Sequence, residues 1–150
     1  MFMAADNGHT EVVGLLIDSG ADKCKARRHD EATPLYIAAQ KGHWQVVQLL
    51  VQAEVEINKA TTEGATPLHT AVENAHRDVV HVLIMAGADR NTARMRDGAT
   101  PLYIAAQRGH LQLFSCSSRL GLRSTKPRLT KEQRHCTLQL SVRIGKLFIF

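Results

Sequence analysis

Apolar positions recur at helical spacing through residues 35–51. Leu35, Ala38 and Ala39 come first, and past Gly42 and His43 follow Val46, Val47, Leu49, Leu50 and Val51. Steps of three and four residues place each set on one side of a helix, so the pattern predicts two short helices, the second antiparallel to the first. The start of the first is marked by Thr33 and Pro34. A threonine at the N-cap accepts an orphan backbone N–H, and a proline at the first helical position has no N–H to leave unpaired. Gly42 can adopt the left-handed conformation that stops a helix. A stripe this narrow leaves an isolated helix pair with an apolar face uncovered, so the unit needs neighbours.

The neighbours are written in the same terms. TPLYIAAQKGH at 33–43 returns as TPLYIAAQRGH at 100–110, TPLHTAVENAH stands at 66–76, and MAADNGH at 3–9 matches the end of a further copy. The marker threonines 33, 66 and 100 are 33 and 34 residues apart, and His9, His43, His76 and His110 are 34, 33 and 34 apart. A fixed period of this size specifies an array of one supersecondary unit whose stacked copies share a continuous core. The alanines between the paired helices allow that close stacking.

These residues resemble the ankyrin repeat family: the period of 33, TPL followed by His or Tyr, Gly-His before the second helix, VVQLL at 46–50, and Gly-Ala-Asp at 20–22 and 87–89. The resemblance covers about residues 1–114, with repeats at about 1–26, 27–59, 60–93 and 94–114. It implies an all-α repeat fold, an ankyrin solenoid of stacked helix-turn-helix units with short β-hairpin loops. Departures mark expected weak points. Met1 aligns with Leu35, so the first helix begins without its Thr-Pro cap, and that end is expected to fray. Glu31, Glu54 and Ala75 stand where the other copies have glycine, and each is expected to hold a positive φ at a cost of about 1 kcal/mol. In the fourth copy Cys116, Ser117 and Ser118 replace Leu49, Leu50 and Val51, so its second helix is expected to be the least ordered part.

Charge separates the array from the C-terminal segment. Residues 1–114 hold 11 Lys/Arg and 13 Asp/Glu, whereas 115–150 hold 8 and 1, so the net charge of +5 comes from the tail. The 115–150 segment is expected to be a poorly ordered basic tail, with TLQLSVRI at 137–144 alternating as a strand would. Met1 in mid-repeat and the abrupt change of text near Phe114 lead us to expect a fragment of a longer array with a substituted C-terminal end. Three widely spaced cysteines, Cys24, Cys116 and Cys136, make a poor disulfide framework and fit a reducing compartment. No apolar run approaches the roughly 20 residues of a membrane helix. An intracellular setting is expected, cytoplasmic before nuclear.

Chemistry is hard to find. The four recurrent histidines sit in different repeats, about 10 Å apart, too far to share a zinc ion at about 2 Å; each is expected to pack and hydrogen-bond at its turn. His69 in TPLH is expected to bond locally, with Tyr36 and Tyr103 in its place elsewhere. The glycine-rich, serine-hydrolase, zincin and CxxC motifs of common enzymes are missing, so no catalytic residue, cofactor or metal is expected. In this family partners are held by the concave face of hairpin tips and first helices. Carried over to this chain, the tips are Arg27, His29 and Asp30, then Thr62 and Glu63, then Arg94, Arg96 and Asp97. The helix positions are Gln40 and Lys41, Glu73 and Asn74, Gln107 and Arg108. They differ among copies while core positions agree, and the tips run basic, acidic, basic.

The expectation is therefore a monomeric, non-catalytic scaffold or adaptor binding another protein. Two readings compete with it. The chain can be the targeting part of a larger ankyrin-containing enzyme, channel or ubiquitin ligase, or the basic tail can contact nucleic acid or an anionic membrane. The stretch 119–134 has no aromatic side chain for base stacking, which argues against specific nucleic-acid binding. Asn58 and Asn91 stand where the family has an asparagine that stabilises the loop and can be hydroxylated.

Overall fold

A computed structural model describes residues 1–110 and Leu113, all within one compact unit, Met1–Cys116. Among the described residues seven helices follow one another: α1 (Phe2–Asp6), α2 (Thr10–Asp18), α3 (Pro34–Lys41), α4 (Trp44–Gln52), α5 (Pro67–Glu73), α6 (Arg77–Met85) and α7 (Pro101–Arg108). No strand occurs among the described residues. The helices form two layers, α1, α3, α5 and α7 packing in sequence in one, α2, α4 and α6 in the other, with α1 against α2, α3 against α4 and α5 against α6. The tail, its strand-like stretch and the second helix of the fourth repeat lie outside the described residues.

The caps explain why each first helix starts where it does. The Thr33 hydroxyl accepts the Tyr36 N–H at 3.1 Å and the Thr100 hydroxyl that of Tyr103 at 3.3 Å, each with proline at the first helical position. Met1 makes no side-chain cap for α1. Between the layers the core is continuous: Ala5, Ala38, Ala39 and Ala71 are fully buried, as are Val13, Val46, Val47, Leu50 and Leu83. Alanine at the crossings removes the side chains that would otherwise hold neighbouring units apart, and the larger aliphatics fill the space between layers.

The hairpin loops are closed by backbone bonds without forming strands. Arg27 N–H donates to the Ala32 carbonyl at 2.8 Å, Thr61 to Ala65 at 3.0 Å and Arg94 to Ala99 at 2.9 Å. Each is too short to build a ladder, since the chain turns straight into the next N-cap. Successive tips are tied by Thr62 N–H to the Asp30 carbonyl and Met95 N–H to the Glu63 carbonyl, both 3.0 Å. A further tie runs from the Asp89 N–H to the Asn58 side chain at 2.8 Å. Cys24 occupies the corresponding place one repeat earlier, where a thiol is a poor acceptor, and a notch of about 40 Å³ opens there beside Lys23, Val55 and Lys59.

Positive φ falls where expected, at Glu31 (56°), Glu54 (57°) and Ala75 (58°). The third has a structural consequence. At Gly8 and Gly42 an added Cβ would sit 2.6 Å from the ring of the next repeat's histidine, His43 and His76 respectively. Those rings lie flat on the glycine and donate from Nε2 to the carbonyls of Asp6 (2.9 Å) and Gln40 (3.0 Å). Ala75 has the Cβ, and there His110 presents its other nitrogen, Nδ1, to the carbonyl of Val72 at 2.9 Å, one residue earlier on its helix. Ala75→Gly is expected to raise stability by about 0.5 to 1 kcal/mol, the relief of left-handed strain less the added freedom of the unfolded chain. Gly42→Ala should lower it by more than that gain, and thermal melts of the two variants would show opposite shifts if this account holds.

Candidate protein-binding surface

The predicted contact residues lie in the loops that precede α3, α5 and α7 and at the ends of those helices. Arg27, His29 and Asp30 are in the loop before α3, Thr62 and Glu63 in the loop before α5, and Arg94, Arg96 and Asp97 in the loop before α7. Gln40 and Lys41 close α3, Glu73 and Asn74 close α5, and Gln107 and Arg108 close α7. This positioning follows from local rules: the caps fix where each first helix begins, its length of about two turns fixes where it ends, and polar residues are left at both margins.

Many of these side chains are engaged with one another. Arg27 grips Asp30 through two guanidinium nitrogens, and Asp30 Oδ1 also accepts the Ala32 N–H at 3.1 Å. The Arg27 hydrogen bond holds the Asp30 carboxyl down to about 2, well below the usual carboxylate range. The same clamp recurs in the last loop, where Arg94 meets Asp97 at 3.1 and 2.6 Å and Asp97 accepts the Ala99 N–H. Arg94 holds the Asp97 carboxyl below its ordinary value in the same way. Arg94 also reaches Glu73 at 3.3 Å, and Glu73 receives Arg108 at 2.6 Å on its other oxygen. One carboxylate is thus held between two guanidinium groups of the next repeat. Weaker pairs are Lys41 with Asp6 at 3.5 Å and Arg96 with Glu63 at 3.8 Å.

Others are turned elsewhere. Asn74 bonds back to the Thr70 carbonyl at 2.9 Å and so closes its own helix. Gln40, Gln107 and Thr62 are exposed and make no side-chain hydrogen bond with the described residues. Asp6, absent from the expected set, pairs with Lys41; its signal was present in the sequence, 67 residues before Glu73 as Lys41 is 67 before Arg108.

Histidines serve the framework. His69 is fully buried, with Nε2 3.1 Å from the Ala99 carbonyl and Nδ1 facing the Thr66 N–H at 3.1 Å and its hydroxyl at 2.8 Å. A carbonyl can only accept, so Nε2 carries the proton and Nδ1 accepts. The ring therefore caps α5 and also reaches the following repeat, a longer span than the local bond expected for it. Burial is the main reason its pKa is lowered. Among the described residues no three His, Cys, Asp or Glu side chains gather as a metal site requires, and no helix is long and apolar enough to cross a membrane.

Helix pairs in stacked register, joined by loops whose tips vary in charge, define a repeat solenoid that presents an extended polar surface. The family model for ankyrin repeats (3 copies) matches residues 1–94, and the chain belongs to the ankyrin repeat family. Ankyrin repeats are generally protein–protein interaction modules and are typically non-catalytic. No curated protein matches the chain significantly.

Proposed function

We propose that this chain is a non-catalytic scaffold or adaptor that holds a partner protein against its hairpin tips and first helices, residues 1–114 forming the binding array and 115–150 a separate basic tail. The observation that carries the reading is the contrast within the chain. Framework positions such as the capping threonines and core alanines are kept from repeat to repeat, whereas His29, Thr62 and Arg96 at the tips, and Lys41, Asn74 and Arg108 at the helix ends, change at corresponding positions. The clamps Arg27–Asp30 and Arg94–Asp97 support it, because they fix the loops that carry those varied residues. A preorganised loop loses less conformational entropy on binding.

The test is site-specific photo-crosslinking in the full chain. A photoreactive side chain placed at Lys41 or Arg96 is expected to capture one defined protein from a nuclease-treated lysate, identified by mass spectrometry. The same group at Gln48 or His81, exposed on the α4 and α6 layer, should not. Equal capture from both layers, or capture confined to a probe placed within 115–150, would reject the proposed surface.

A further inference from the structure

The recurrent histidines are seated on the repeat before their own. The His43 ring lies over Gly8 and donates to the Asp6 carbonyl at 2.9 Å, and the His76 ring lies over Gly42 and donates to the Gln40 carbonyl at 3.0 Å. His110 finds Ala75 in the glycine's place and bonds to the Val72 carbonyl instead. One ring is left over. His9, the first of the series, is exposed and makes no side-chain hydrogen bond with the described residues. The other end of the array has the converse surplus. Gly109 follows α7 with a φ of 71°, close to the 72° of Gly8, yet an added Cβ there would meet nothing within 4 Å. Two residues before it stands Gln107, the counterpart of the Gln40 whose carbonyl receives His76. The chain therefore holds one histidine without a seat and one seat without a histidine.

The apolar surface is divided in the same way. Met3, the counterpart of Ile37, is 74% exposed where Ile37 is 5%, and Val12, the counterpart of Val46, is 46% exposed where Val46 is fully buried. Ile37 and Val46 belong to helices with a preceding repeat packed on them, α1 on α3 and α2 on α4. Among the described residues α1 and α2 have no such neighbour. Behind α7 the pattern is reversed: Ala106 is half-buried, whereas its counterparts Ala39 and Val72 are buried.

We infer that copies of this chain stack head to tail, α1 of one copy packing on α7 of another, with the His9 ring seated over Gly109 and donating to the Gln107 carbonyl. The contact continues the interface that already joins α3 to α1 and α5 to α3 within the chain. A second copy is the occupant because this one chain carries both complementary halves. Two N-terminal faces would not serve each other, since His9 would meet His9 with neither a glycine nor a free carbonyl to receive it. The contact is therefore heterologous, and contacts of that kind propagate instead of closing at a pair. Joining separate molecules through one repeat must offset their lost translational and rotational freedom, so association is expected at about 10 to 500 µM. The monomer expected from the sequence is the dilute limit of this assembly.

Sedimentation velocity of the full chain over about 5 to 500 µM tests this, and the weight-average mass should climb past that of a dimer at the upper end. Two variants separate the halves of the contact. Met3→Glu combined with His9→Ala removes the N-terminal half, and Gly109→Asn fills the seat with a residue that tolerates the left-handed conformation. All three positions are exposed, so circular dichroism at 222 nm should match the parent chain. Each variant alone should associate at least about tenfold more weakly, a loss of about 1.4 kcal/mol. Mixed in equal amounts, the two should form a 1:1 dimer and nothing larger, because one retains the seat and the other the histidine. Independently of these variants, a photoreactive side chain at Met3 should crosslink to α7 of another copy. A chain that stays monomeric throughout, association that Gly109→Asn leaves unchanged, no dimer in the mixture, or crosslinks from Met3 to the same position or to 115–150 of another copy would each overturn the inference. A plateau at the dimer that Gly109→Asn does not disturb would show two N-terminal faces pairing instead. None of these outcomes bears on capture of a partner at Lys41 or Arg96.

Discussion

Leu50→Ala is expected to remove about 2 to 5 kcal/mol of folding stability, the range for deleting a fully buried leucine side chain and leaving part of its volume empty. Leu50 is wholly buried in α4, which packs on α3 within its repeat and on α2 and α6 of the adjoining ones. Against a typical total of about 5 to 15 kcal/mol, one truncation is a large fraction. In a linear array the effect is also topological. A repeat that fails in the middle loses its interface with both neighbours, so the flanking repeats lose the coupling that lets them fold together. The urea midpoint should fall by about 1 M or more and the transition should broaden, read by circular dichroism at 222 nm. Leu15→Ala is the control: that side chain is 69% exposed and its loss should stay within about 0.5 kcal/mol. Comparable losses in the two variants would mean that the core does not lie where the packing places it.

His69→Leu should cost about 2 to 5 kcal/mol at pH 7.5. The substitution keeps an apolar side chain of similar bulk but leaves two buried groups, the Thr66 N–H and the Ala99 carbonyl, without their partner, each at about 1 to 3 kcal/mol. The cost should also depend on pH in a defined direction. Burial lowers the His69 pKa in the folded protein, so between that value and the unfolded value of about 6.5 the unfolded chain binds more protons at this site. The contribution of His69 is therefore complete above about pH 6.5 and is lost as pH falls through the folded pKa. Protonation at Nδ1 would also set an N–H against the Thr66 N–H it accepts from. Nearby charge acts in the same sense on balance, with Arg94 opposing the protonated ring and Asp97 favouring it more weakly. Denaturant melts of both proteins at pH 7.5, 6.5 and 5.5 should show the gap between them narrowing. A gap constant across that range would show that His69 does not titrate as the buried neutral ring described.

How much of this was legible beforehand differs between elements. The helix starts were, because Thr-Pro carries the whole instruction within two residues: a hydroxyl to accept an N–H and a ring that needs none. The strained positions Glu31, Glu54 and Ala75 were too, since in a repeat each copy serves as the reference for the others. The proposed binding surface was legible as a set of positions but not as a set of contacts. Arg27 and Asp30 looked like independent reading residues and prove to clamp each other, and Glu73, taken as an acidic contact, is held between Arg94 and Arg108. Those pairings cross repeats or loops, and the direction of a long side chain is not written in its spacing along the chain.

By itself, then, the sequence determined that the chain is a stack of helical repeats and where the described first helices begin, because period, cap and apolar stripe are local properties that the chain repeats. Only the tertiary structure decided which charges pair with one another, that His69 reaches Ala99, and that His110 uses its other nitrogen above Ala75. Each of these depends on an atom of the next repeat lying within about 3 Å, a distance set by how closely the units stack.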